Sequence, residues 1–90
     1  MFTIQSTKYF DKKFKKLTKN NQKLKDKIIV TIIQLSDNPF DQSIRTHKVE
    51  DNWSSSVTGD IRILWIFEDD EIKVIQLINI GGHSGGNSVY

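Results

Sequence analysis

His47, His83, Asp60 and Arg62 are the residues of this chain whose types suit proton transfer beside a fixed positive charge. General acid and base work needs two groups that take or release a proton near neutral pH, and a cation to stabilise charge developing at the reacting centre. These four residues supply both. A metal centre fits poorly: the histidines lie far apart, and the chain has neither cysteine nor a helical histidine pair to join them. A Ser-His-Asp arrangement is left open, because serines are plentiful and none sits in a strained elbow motif.

Each residue also has a plain structural reading. A histidine in a connection is most often a surface residue. Arg62, between Ile61 and Ile63, is either ion-paired with Asp60 or Glu68, or it faces a functional opening on the sheet. Trp53 and Tyr90, taken alone, read as packing aromatics.

The elements that must position these groups follow from periodicity. "FTIQS" alternates as a short strand, and Ser6 or Thr7 then offers a helix cap. Over residues 8–19 the apolar Phe10, Phe14 and Leu17 recur at helical spacing among lysines. "TKNNQ" interrupts the pattern, because asparagine favours caps and turns. Residues 22–35 carry a second stripe of Leu24, Ile28, Ile32 and Leu35, widened by Ile29 and Ile33, and "SDNPF" ends it.

After a connection over residues 40–52 the period changes to two. "WSSSV", "IRILWIF" and "IKVIQLINI" read as strands, the last two joined through "EDDE". "IRILWIF" is apolar on both faces and is expected to be central. The expected fold is α+β: an N-terminal strand, an antiparallel helix hairpin and a three-stranded antiparallel meander in one domain, residues 1–90.

Composition narrows the classes. Ninety residues with 37% hydrophobic and 27% charged content describe a globular domain, and no apolar run approaches the roughly 18 residues of a membrane span. "MFTIQSTKYF" lacks the pattern of a secretory signal, so the expected compartment is the cytoplasm. Residues 8–27 hold nine lysines against Asp11 and Asp26, although the whole chain carries only +2. One part of the molecule is therefore strongly basic, which suits a phosphate-rich partner or simply a solvated helix pair.

The segment "HKVEDNWSSSVTGDIRILWIFEDDEIKVIQLINIGGHSGGNSVY" resembles the C-terminal half of the RelE/ParE toxin superfamily, and within its RelE branch the YafQ-like group. The resemblance rests on His47-Lys48-Val49, on Trp53, on Asp60 before the "RILW" strand, on "GGH" at 81–83 and on the terminal Tyr90. "KYFDKKFKKL" is similar to the first helix of these toxins. Three serines, Ser54, Ser55 and Ser56, stand where some YafQ-like toxins carry a further histidine, and the closing run is longer and richer in glycine.

The resemblance implies a toxin of a type II toxin-antitoxin system, held in a hetero-oligomer by a cognate antitoxin, that cleaves mRNA on the ribosome without cofactor or metal. His47 and His83 would transfer protons, Arg62 would stabilise the phosphorane-like charge, and Asp60 would act as base or orienting carboxylate. Tyr90, Trp53 and Lys48 would hold the nucleotide, and Lys12, Lys13, Lys16, Lys19 and Lys23 would hold ribosomal RNA. The alternatives are a ParE-like poison of DNA gyrase and a non-toxic, antitoxin-binding homologue.

Overall fold

The computed structural model describes residues 1–69 and 73–82. The order is β1 (Thr3–Ser6), α1 (Lys8–Thr18), α2 (Gln22–Asp37), a short 3-10 turn (Gln42–Ile44), then β2 (His47–Val49), β3 (Asn52–Ser56), β4 (Arg62–Asp69) and β5 (Val74–Gly81). All five strands form one sheet in the order β1-β5-β4-β3-β2. The expected α+β arrangement is present, and β4 is the central strand. No helix among the described residues is long and apolar enough to cross a membrane.

Local chemistry explains the helix ends. The Phe10 N–H donates to Thr7 Oγ1 at 3.0 Å and the Leu24 N–H to Asn21 Oδ1 at 3.1 Å, so each helix starts on a side chain that accepts an otherwise orphaned donor. Asn20, at φ 62°, takes the left-handed turn between the helices. Both asparagines of "TKNNQ" are thus used. The α1–α2 hairpin brings the chain back so that β1 joins β5 in parallel, with Thr3 opposite Val74 and Ser6 opposite Leu77.

The core is built from one face of the sheet and the inner stripes of the helices. Phe10, Ile28, Leu35, Ile44, Ile63, Trp65, Ile75, Leu77 and Ile80 are buried together. A bulge where Leu64 and Trp65 meet β5 shifts the pairing by one residue. That shift lets β5 present Ile75, Leu77 and Ile80 to the same side despite their uneven spacing.

Two sequence expectations need correction in detail. Ile29 and Ile33 do not widen the buried stripe of α2; they are 41% and 63% exposed, beside Val30 at 65%. The inward arc closes instead on Thr31, whose hydroxyl donates to the Lys27 carbonyl at 2.9 Å and so enters the core satisfied. The connection over residues 40–52 also contains the edge strand β2, paired with β3 so that His47 lies opposite Ser54. Three residues are too short to show a period of two.

Candidate active site

β4 begins at Arg62, which lies opposite Ser56 of β3 and Gly81 of β5. Alternation turns Ile63 and Trp65 into the core and Arg62 to the other face. Arg62 is nevertheless only 6% exposed, so its charge must be met by fixed polar groups. Its Nε donates to Ser54 Oγ at 2.6 Å, and its Nη2 faces the Ser54 carbonyl at 3.0 Å, the Arg45 carbonyl at 2.9 Å and His47 Nδ1 at 3.1 Å. Arg62, Ser54 and His47 therefore form one hydrogen-bonded group. Among the described residues no buried side-chain nitrogen or oxygen lacks a partner.

The Arg45 carbonyl is aimed by its turn. Asp41 Oδ1 accepts the Ser43 N–H at 2.9 Å at the start of the 3-10 turn, and hydrogen bonds from Ser43 lower the Asp41 pKa. The turn ends with Arg45 in the left-handed region at φ 46° and ψ 49°, a conformation that costs a side-chain-bearing residue roughly 1 kcal/mol. A polar chain then anchors the next residue to the sheet. Trp65 Nε1 donates to Ser55 Oγ at 2.8 Å, and Thr46 Oγ1 donates to the Pro39 carbonyl at 2.6 Å. Since Thr46 has one proton and spends it on Pro39, Ser55 is the donor in the 2.6 Å bond between the two hydroxyls.

Asp60 sits on the turn between β3 and β4. Thr58 Oγ1 accepts the N–H of Asp60 at 3.1 Å and of Ile61 at 2.9 Å, while Ser56 Oγ donates to the Thr58 carbonyl at 2.7 Å. The exposed Asp60 is thereby held against the end of β5. A Cβ at Gly82 would stand 2.9 Å from Asp60 Oδ2, so glycine is what lets that carboxylate approach the backbone.

Of the sequence-predicted site residues, His47 and Arg62 meet directly and Asp60 adjoins Gly82. His83 and Tyr90 lie outside the described residues. Lys48 and Trp53 turn to the opposite face: Lys48 Nζ lies 4.7 Å from the Trp53 ring centroid, and Trp53 packs on Phe40 at 5.0 Å and Trp65 at 6.1 Å. Trp53 precedes Ser54 on β3 and pairs with Lys48 of β2, so alternation puts both on the face opposite to Ser54 and His47.

Lys12, Lys16 and Lys23 are exposed on the helices, and Lys19 is exposed at the C-cap of α1. Lys13 instead donates to Asn79 Oδ1 at 2.9 Å, and burial, with a smaller contribution from the Lys16 charge, lowers its pKa. A groove of about 610 Å³ between the helices adds Lys15 and Lys25 to Lys19, beside Phe14 and Gln22.

Sequence reading missed Ser54, Ser55, Thr46 and the Arg45 carbonyl. The run "SSS" was the available signal: small hydroxyls at three successive strand positions serve both faces of a sheet at once.

No family model matches the chain, and no curated protein matches it in sequence. Solved structures do match. A YoeB/ParE toxin from Agrobacterium tumefaciens superposes with a TM-score of 0.78 at 14% identity, over 92% of this chain and 100% of that one. A chain of the archaeal RelE–RelB complex from Pyrococcus horikoshii OT3 gives 0.74 at 17% identity, over 92% and 96%. One from the E. coli DinJ–YafQ toxin-antitoxin complex gives 0.70 at 17%, over 91% and 92%. With its β1-α1-α2 start, its four-stranded return and nearly full mutual coverage, the chain has the fold of the RelE/ParE toxin superfamily.

Proposed function

We propose that this protein is the toxin of a type II toxin-antitoxin pair and acts as a ribosome-dependent endoribonuclease on mRNA in the cytoplasm. The observation that carries the reading is the bonded pair of His47 and Arg62 on the sheet face turned from the core, with Asp60 beside Gly82 and His83 next in sequence. The fold shared with YoeB, RelE and YafQ toxins supports it.

The reaction needs no external reactant. A ribose 2′-hydroxyl gives its proton to a base and bonds to the adjacent phosphorus; the bond to the 5′-oxygen breaks, and that oxygen takes up a proton. A cyclic phosphate and a free 5′-hydroxyl result. His83, Asp60 and His47 serve the proton and hydrogen-bonding steps, and Arg62 stabilises the added negative charge. Tyr90 holds the nucleotide, and Lys48 and Trp53 contact RNA passing the β2 edge. Lys12, Lys13, Lys16, Lys19 and Lys23 bind ribosomal RNA through phosphates, a grip that weakens as salt rises.

In a translating extract the purified protein should cut mRNA, and His83→Ala should stop the cutting without unfolding the protein. Growth arrest with intact transcripts sinks the nuclease reading. Double-strand DNA breaks on induction would identify a gyrase poison, and normal growth a non-toxic homologue.

The antitoxin partner has a surface to fit. Ile29, Val30 and Ile33 form an exposed apolar stripe on a helix that also carries Lys23, Lys25 and Lys27, which suits an acidic amphipathic segment. The double substitution Val30→Glu and Ile33→Glu should weaken the partner's binding by about tenfold or more, read by titration of the purified pair, while leaving RNA cleavage intact. A chain that copurifies with nothing from its own operon counts against the partner.

A further inference from the structure

Arg62 Nη2 lies 3.1 Å from His47 Nδ1. Nη2 has two N–H groups for three acceptors, so one N–H is shared between His47 and a backbone carbonyl. A guanidinium can only donate, so in this contact Nδ1 accepts, and in the neutral ring the proton belongs on Nε2. The competing arrangement, with Nδ1–H donating to the Arg45 carbonyl, spans 3.4 Å. That is the longer of the two Nδ1 contacts, and an Nδ1–H would also confront the Nη2 donor 3.1 Å away. Geometry therefore favours one tautomer over the other.

What keeps Nη2 aimed at His47 is Ser54, which is fully buried and grips the guanidinium twice: its hydroxyl takes Nε at 2.6 Å and its carbonyl takes Nη2 at 3.0 Å. Two anchors on adjacent nitrogens of a planar group fix the orientation of its plane. The strand partner of Ser54 is His47 itself, so the anchored group and the ring it meets belong to one register. Next along β3, Ser55 ties down Thr46 and hence the stretch that carries both the Arg45 carbonyl and His47.

We propose that Ser54 is a positioning residue that acts through Arg62 to hold His47 in its Nε2–H tautomer, so that His47 offers the scissile phosphate a hydrogen-bond donor. The substrate clause rests on the nuclease reading above, whereas the tautomer is a property of the protein alone. In this role His47 donates from Nε2 to a non-bridging phosphate oxygen. Setting which ring nitrogen carries the proton is a known use of the partner on the other nitrogen.

Heteronuclear NMR of the ring nitrogens in the full-length protein reads the tautomer directly. The expected spectrum has a protonated Nε2 and a lone-pair Nδ1. In Ser54→Ala, with a buried hydroxyl removed and the fold checked by its melting temperature, the two tautomers should mix and kcat should fall about tenfold with KM nearly unchanged. His47→Gln, which keeps an amide donor near the Nε2 position, should retain activity at least about tenfold above His47→Ala. An Nδ1–H form in the wild type, or an unchanged ratio in Ser54→Ala, overturns the positioning role. Equal inactivity of His47→Gln and His47→Ala overturns the donor role. If Ser54→Ala does not fold, the near-isosteric Ser54→Cys, whose thiol is only a weak acceptor, reads the positioning role in its place, and an unchanged tautomer ratio there overturns it. The expected tautomer in a protein that cuts no RNA supports the Ser54-Arg62-His47 relay and overturns the nuclease reading with the substrate clause.

Discussion

Arg62→Ala should lower RNA cleavage by about 10² to 10³-fold, the loss typical of removing one charged stabiliser of a transition state. The same substitution strips the partner from the Ser54 hydroxyl and from the Ser54 and Arg45 carbonyls. Orphaned groups of that kind cost about 1 to 3 kcal/mol each where water cannot replace the donor. His47, at the rim of the group, is exposed, and water reaching in from there offsets part of the cost. The expected stability loss is therefore about 1 to 3 kcal/mol in total, against a domain stability on the order of 5 to 15 kcal/mol. The protein should stay folded while its activity collapses.

Arg62→Lys separates charge from geometry. An ammonium keeps the positive charge but cannot reach Ser54 Oγ, the Arg45 carbonyl and His47 Nδ1 as one rigid fork, so this variant should recover little activity. Cleavage in a translating extract, measured beside urea unfolding, checks both variants. Full activity in Arg62→Lys would mean that charge alone suffices.

Trp65→Ala should produce the largest loss of stability in the molecule, about 3 to 5 kcal/mol. Trp65 is fully buried at the middle of the central strand and packs edge-on against Phe67 at 5.0 Å and beside Trp53 at 6.1 Å. Its Nε1 also starts the polar chain through Ser55 and Thr46 to Pro39. Trp65→Phe isolates that second role, because most of the ring volume remains while the donor is lost. It should cost about 1 to 2 kcal/mol and loosen the stretch around Arg45. Urea denaturation reads the size of both effects, and amide hydrogen exchange at residues 45–47 reads the local one. A Trp65→Ala midpoint equal to the wild type would contradict the assigned core.

The elements that sequence reading recovered are those whose cause is local. The caps at Thr7 and Asn21, the turn at Asn20 and the inward spacing of Ile28 and Leu35 all depend on residues three or four positions apart. The apolar run "IRILWIF" likewise gave the central strand, because burial on both faces leaves its mark in composition. The reading failed where burial depends on distant partners. Ile29 and Ile33 look like core residues on a helical wheel, yet the hairpin turns them outward.

The candidate site divides in the same way. Residue types alone named His47, Asp60 and Arg62 as a chemical set, since the chain has only two histidines and an arginine between isoleucines in a strand stands out beside a carboxylate. That Arg62 is clamped by Ser54, that His47 receives one of its N–H groups, and that Trp53 and Lys48 face away were decided by strand register. Ser54 and Arg62 are eight residues apart, and His47 and Arg62 fifteen. Hydrogen bonds over such separations exist only after three strands have aligned, and a one-residue slip would send every one of these side chains to the other face. The sequence by itself determined the elements and the reactive residue types, because periodicity and capping act within a few residues. Only the tertiary structure decided which of those residues meet, because pairing and register act between segments that the chain keeps apart.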